Sequence, residues 1–139
     1  MKLFPFFSLV LFSILCQAQS EMAQIEETLL KYINGSSYSE PEMIQEAFYE
    51  EADLFLSKED QEIWVLSPKE YAALFESREK GKFNGREGNI LTIDRAGNIA
   101  SAKAEIKIPA RDLYFVDIFL LKKLSGQWKI ISKAAVQIK

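Results

Sequence analysis

The sequence predicts an α+β domain in which helices pack on one face of a curved, mostly antiparallel sheet. Apolar residues recur at helical spacing after residue 20, and the period changes to two after Gly85. The length of 139 residues fits one domain with one core. The predicted order is two helices, a strand pair, a third helix and four long strands, which places helices and sheet in separate layers.

Residues 1–18 have the pattern of a secretory signal peptide. Lys2 is followed by the uncharged run Leu3–Leu15, and Cys16 and Ala18 place small residues at the −3 and −1 positions of a cleavage site. The run is shorter than the roughly 20 apolar residues that span a bilayer. We therefore predict cleavage after Ala18, export to the periplasm or beyond, no membrane span, and a mature domain over residues 19–139. Leu15 stands where a lipoprotein signal has a small residue, which argues against lipidation.

Composition excludes several kinds of chemistry. The sequence has no histidine, and its one cysteine leaves with the signal peptide. Ser-His-Asp catalysis, Cys-His catalysis and thiolate or histidine metal centres are therefore excluded from the mature chain. Loss of Lys2 reduces 17 basic residues to 16 against 20 acidic ones, a net charge of −4, which argues against nucleic acid as a partner. We predict no metal and no cofactor, and interpret the acidic group Glu46, Glu50, Glu51 and Asp53 as a solvated face.

Three helices are predicted from periodicity and capping signals. The first is amphipathic, ends near Gly35 and has the apolar face Met22, Ile25, Leu29, Tyr32 and Ile33. The second would begin with a capping box from Ser39 to Glu42 around Pro41, with the apolar face Met43, Ile44, Ala47 and Phe48. The third begins with the stronger signal Ser67-Pro68-Lys69-Glu70 and would bury Tyr71, Leu74 and Phe75.

The strands follow from turns and alternation. Asp53–Ser57 and Ile63–Leu66 read as a hairpin, and Ile90, Thr92 and Asp94 alternate with Leu91 and Ile93. A further strand turns five small or branched residues to one face, namely Ala100, Ala102, Ala104, Ile106 and Ile108.

The last hairpin, Leu113–Val136, carries Asp117 inside an otherwise apolar run. A charge at that place is either a satisfied structural carboxylate or part of a pocket. Both faces of its strand are apolar, which indicates that something covers the outer face, and we predict a homodimer.

The motif Phe115–Leu121, followed by Gly126-Gln127-Trp128-Lys129-Ile130, resembles the nuclear transport factor 2-like superfamily. Within it, the chain is similar to small exported bacterial proteins of the lumazine-binding and polyketide cyclase-like kinds. The resemblance implies a cone-shaped, strongly curved, mostly antiparallel sheet wrapped around three N-terminal helices, with a deep apolar cavity and commonly a homodimer. Members include ketosteroid isomerase, polyketide cyclases and scytalone dehydratase, while others only bind or associate.

Similarity to ketosteroid isomerase implies that one part of its active site is present here and that another part is missing. Tyr32 and Asp117 match the pair that hydrogen-bonds the substrate oxygen, with the aspartic acid protonated, but Leu56 stands where the general base is expected. A leucine takes no proton, so we assign no catalytic residue. The candidate ligand pocket comprises Tyr32, Asp117, Trp64, Phe115 and Phe119. The interpretation that we favour for Tyr32 is a core tyrosine with its hydroxyl paired, and for Trp64 and Trp128 it is a core or dimer-interface position.

Three functions follow as hypotheses. The first is an exported, non-catalytic domain that binds a small, partly apolar or aromatic ligand, or a protein partner, as a homodimer. The second is an isomerase, dehydratase or cyclase that uses Asp117 and Tyr32 in an apolar pocket. The third is a dimerisation module without a ligand.

Overall fold

The computed structural model describes residues 6–139, with side chains from residue 20 onwards. Residues 1–5 of the predicted signal peptide lie outside the described residues, and Ala18 lies where only the backbone is described. Among the described residues, no helix has the length and apolar character needed to cross a membrane.

Three helices and six strands within residues 6–139 confirm the predicted α+β class. The helices are α1 (Phe6–Ser37), α2 (Pro41–Ala47) and α3 (Pro68–Ala73). The strands are β1 (Phe48–Lys58), β2 (Gln61–Leu66), β3 (Glu87–Ala96), β4 (Ile99–Ile108), β5 (Leu113–Leu124) and β6 (Gln127–Gln137). They form one open, curved sheet in the order β2-β1-β6-β5-β4-β3, in which only β1 and β6 pair in parallel.

The helix α1 extends two residues beyond its predicted end because Gly35 has a packing role instead of a terminating one. A Cβ at Gly35 would lie 2.9 Å from the backbone nitrogen of Ile44, so the glycine allows α2 to cross α1 at close range. The chain leaves the helix at Ser39, whose φ is 52°. Ser39 therefore does not cap α2 as predicted: the N-cap is Glu40, and no side chain caps this helix.

The capping box predicted for α3 is confirmed. The backbone N–H of Glu70 donates to Ser67 Oγ over 3.2 Å, and the backbone N–H of Ser67 donates to Glu70 Oε2 over 2.8 Å. These hydrogen bonds hold the pKa of Glu70 below its ordinary value. The helix is shorter than predicted and ends at Ala73, so that Leu74 is 46% exposed instead of buried, while Tyr71 and Phe75 are buried.

The core lies between the helices and the inner face of the sheet. It includes the predicted alternating residues of β4, Ala100, Ala102, Ala104 and Ile106. In β3 the predicted alternation is interrupted by a bulge between Ile90 and Thr92, so Ile90 and Ile93 both pack toward the core. In β5 the predicted division of faces is confirmed, since Asp117, Phe119 and Leu121 are buried and Ile118 and Leu120 are exposed.

Candidate functional site

Five polar side chains from separate parts of the chain meet at one end of the core. They are defined here as the polar cluster: Tyr32 on α1, Tyr71 on α3, Arg86 just before β3, Asp117 on β5 and Lys133 on β6. Four of the five are at most 5% exposed, and Arg86 is half-buried. A group of this polarity inside a core is stable only if its members bond one another.

Asp117 is the centre of the polar cluster. Its Oδ2 accepts a hydrogen bond from the Tyr32 hydroxyl over 2.8 Å and another from Lys133 Nζ over 3.0 Å. Asp117 and Lys133 are each 1% exposed, so they form a buried ion pair. A carboxylate that pairs with a lysine accepts hydrogen bonds, which is the reverse of the donating, protonated acid that the resemblance to ketosteroid isomerase implies.

The two tyrosines connect this ion pair to Arg86. Because the Tyr32 hydroxyl donates to Asp117, its oxygen accepts from the Tyr71 hydroxyl at 3.2 Å and from Arg86 Nη2 at 3.4 Å. Arg86 Nη2 also donates to the Tyr71 hydroxyl over 3.3 Å. Burial and the adjacent charge of Asp117 raise the pKa of Tyr32 well above its ordinary value of 10.0. The Tyr32 phenol therefore keeps the proton that it donates.

Arg86 is held in place by the end of α1. Its Nε donates to Ser36 Oγ over 3.3 Å, and its backbone N–H donates to Asn84 Oδ1 over 3.1 Å. The Asn84 amide in turn donates to the Ser36 carbonyl and to Ser39 Oγ. Burial alone would lower the pKa of Arg86, but the neighbouring Tyr71, Tyr32 and Asp117 raise it above its ordinary value. Arg86 is therefore a fixed positive charge.

A cavity of about 140 Å³ opens beside the polar cluster. Its lining combines the apolar Leu56, Phe115 and Ala135 with polar side chains, namely Ser57, Tyr71, Arg86, Asp117, Lys133 and Gln137. The volume is well above what one water molecule requires but below the range of about 300 to 1,000 Å³ that is usual for drug-sized ligands. The cavity thus has space for a small molecule.

The structure brings some of the predicted pocket residues to this cavity and places others elsewhere. Asp117 and Phe115 line it, and Tyr32 lies behind Asp117 with its ring fully buried. Phe119 is also fully buried and packs edge-on against the Tyr32 ring, with 5.4 Å between centroids. Trp64 is not among the lining residues; it is half-buried, with Lys58 Nζ 4.3 Å from its ring centroid.

Leu56 lines the cavity at the place where the resemblance to ketosteroid isomerase implies a general base. Among the lining residues, Asp117 is the only carboxylate. Trp128, interpreted from the sequence as a core or interface residue, is buried and donates from Nε1 to Glu21 Oε2 over 2.7 Å.

Sequence reasoning missed the cationic half of the polar cluster. Lys133 lies on the inner face because the β5–β6 register shifts between Leu120 and Leu121, which pairs Lys133 with the inward-facing Phe119. Unbroken alternation from Trp128 and Ile130 would turn it outward. Arg86 lies before a strand in a segment without periodicity, and the helical spacing of Tyr71 predicts only a core position for it.

Comparison with known proteins agrees with this architecture. A nuclear transport factor 2-like protein of unknown function from Shewanella baltica has a TM-score of 0.75 at 23% identity, over 86% of this chain and 95% of that one. A similar protein of unknown function from Methylobacillus flagellatus has a TM-score of 0.74 at 26% identity, over 86% and 94% of the two chains.

A third structure, described as "Putative Scytalone Dehydratase" from Novosphingobium aromaticivorans, has a TM-score of 0.66 at 18% identity, over 88% of this chain and 87% of that one. No curated protein matches the chain. Residues 20–134 match the family described as "Putative lumazine-binding". The chain therefore belongs to that family, within the nuclear transport factor 2-like superfamily.

Proposed function

We propose that this protein is a non-catalytic binding protein, and that a small, partly apolar molecule occupies the cavity beside Asp117. The observation that supports the proposal is that the cavity wall has an apolar side and a polar side. Leu56, Phe115 and Ala135 supply apolar contact on one side, and the polar cluster supplies fixed hydrogen-bonding groups on the other. Pockets that bind small molecules combine these two kinds of surface.

Asp117 retains hydrogen-bonding capacity toward the cavity. Both of its hydrogen bonds within the described part of the chain reach Oδ2. Asp117 lines the cavity, so Oδ1 is the oxygen that we assign to a ligand. A ligand hydroxyl or N–H group is the natural donor to this oxygen.

The polar cluster favours binding over an isomerase-type reaction. A general base must reach its proton directly or through one water, and the position implied for it is Leu56. Asp117 Oδ2 already accepts hydrogen bonds from Lys133 and Tyr32, so this oxygen is occupied by donors of the chain itself. We accordingly assign the cavity to recognition. From the leader sequence we further propose that this recognition takes place after export.

We also propose that the protein binds its ligand as a homodimer through the outer face of the sheet. An exposed apolar row crosses four strands in register, from Val65 through Phe55 and Ala134 to Ile118. Val65, Phe55 and Ile118 are 45%, 40% and 51% exposed. An apolar surface of this extent on a sheet is typical of a face that a second protein covers. A second copy is the occupant that the superfamily resemblance implies.

The binding proposal is tested by filling the cavity. The purified protein is screened by thermal shift against small aromatic acids, amides, flavins, pterins and sterols, and each hit is measured by calorimetry. We expect Leu56→Trp to abolish binding of any hit, because the indole takes the cavity space. Leu74→Trp, the same change at an exposed site on the end of α3, should leave binding unchanged. If no compound stabilises the protein, or if Leu56→Trp binds as well as the unaltered protein, the proposal is wrong.

A further inference from the structure

We propose that the ligand is a small monocarboxylate, whose carboxylate binds Arg86 beside Lys133 and whose hydrocarbon part contacts Leu56 and Phe115. This inference rests on the binding function proposed above and names the chemical class of the ligand.

The charge of the cavity lining favours an anion. Arg86 and Lys133 are positive and Asp117 is negative, so the lining residues leave one positive charge in excess. Lys133 and Asp117 neutralise each other at 3.0 Å. A partly buried charge is costly unless an opposite charge pairs with it, so an anion that entered the cavity would supply a counter-charge for Arg86.

The hydrogen-bond partners of Arg86 leave it able to bind an anion. Its side chain donates to the hydroxyl groups of Ser36, Tyr32 and Tyr71, all of which are neutral oxygens. None of the ion pairs formed within residues 20–139 includes Arg86. These bonds use Nε and Nη2, which leaves Nη1 to donate to a ligand. The planar guanidinium group is the side chain best matched to carboxylate oxygens.

The size of the excess charge and the apolar lining indicate the kind of anion. One excess positive charge matches a monoanion, whereas a phosphate dianion would leave one negative charge unpaired. The carboxylate of Asp117 repels a second anion on its own side, so the ligand carboxylate belongs on the side of Arg86. Leu56, Phe115 and Ala135 then face the rest of the molecule. The volume of about 140 Å³ limits that remainder to a single ring or a short chain.

Three compounds of matched size and different charge test the inference: benzoate, benzamide and benzylamine. We expect calorimetry at pH 7 to show that benzoate binds more tightly than benzamide, with benzylamine weakest, and that added salt weakens benzoate binding. Arg86→Gln should weaken benzoate binding by roughly ten- to a hundredfold, because a charged hydrogen bond is lost, and should leave benzamide binding nearly unchanged.

Arg111→Gln is the matched control, since Arg111 is exposed in the turn before β5, and it should have no effect. If Arg86→Gln does not fold, Arg86→Lys keeps the charge without the planar group and should bind benzoate with intermediate affinity. Equal binding of benzoate and benzamide would overturn the carboxylate inference and leave the binding function in place. Binding of benzylamine above both would also overturn it. If none of the three binds and the wider screen also yields nothing, the binding function itself is contradicted.

Discussion

Asp117 and Lys133 are stable in the core because each is the other's counter-charge. Removing both can cost little when apolar groups replace them, whereas removing one leaves a charge buried without a partner. Replacing one member of the pair should therefore destabilise the protein more than replacing both. It is also the point at which the cavity meets the core, so its stability bears on the site as well as on the fold.

We predict that Asp117→Asn lowers the free energy of unfolding by about 3 to 5 kcal/mol, because Lys133 then lacks a counter-charge. Urea denaturation followed by the fluorescence of Trp64 and Trp128 measures the loss. The double variant Asp117→Asn, Lys133→Met is the control and should recover most of the stability. A loss below about 1 kcal/mol in the single variant would mean that the pair is not buried as described.

At the scale of single residues, the sequence predicts one half of the polar cluster. Tyr32 and Asp117 stand out because a polar group in an apolar run needs a partner, and the structure joins them over 2.8 Å. Lys133 does not stand out, because the face of the sheet on which its side chain lies depends on a register shift that no local pattern reveals.

At the scale of elements, the packing of α1 against β3 depends on a close approach at Gly88. A Cβ at this position would lie 2.5 Å from Ile33 Cγ2 and 3.1 Å from Ile106 Cδ1. The backbone of β3 therefore lies directly on the helix, and the strand carries no side chain at this point because there is no space for one.

We predict that Gly88→Ala destabilises the protein by about 1 to 3 kcal/mol, because the methyl group forces α1 and β3 apart. Ile33→Ala removes the side chain that the methyl group would meet. A double-mutant cycle of the two changes should therefore give a favourable coupling energy, measured by thermal or urea unfolding. Strictly additive effects would contradict the steric explanation.

Capping shows why some element boundaries were predictable and others were not. Ser67 and Glu70 form their capping box with atoms three residues apart, so the local sequence contains the whole signal. Ser39 and Glu42 have the same spacing, but Ser39 adopts a φ of 52° and accepts a hydrogen bond from Asn84, 45 residues away. A tertiary contact replaced the local one there, and the contact also helps to position Arg86.

At the scale of the whole molecule, the sheet has two different faces. The inner face is closed by the helices, while the outer face carries the exposed row from Val65 to Ile118. The alternation in β5 predicted this division, because both sets of residues on that strand are apolar. Homodimerisation remains a prediction.

We predict that Ile118→Lys converts the protein from a dimer to a monomer at micromolar concentration, because it places a charge at the β5 end of the apolar row. Light scattering coupled to size-exclusion chromatography measures the mass. Leu74→Lys introduces the same charge at a position of similar exposure directly after α3 and should leave the dimer intact. A monomer in the unaltered protein at that concentration would contradict the proposal.

The position of β6 in the sheet has a consequence for how the chain folds. The last of the six strands lies between β1 and β5, so it joins the N-terminal hairpin to the three-stranded remainder of the sheet. The ribosome makes residues 127–137 after the other five strands, and until then β1 has no partner on that side. Folding therefore depends on contacts between distant parts of the chain, which are slow to form. A nascent chain lacking β6 would expose unpaired strand edges, and so would any product shortened by a dozen residues.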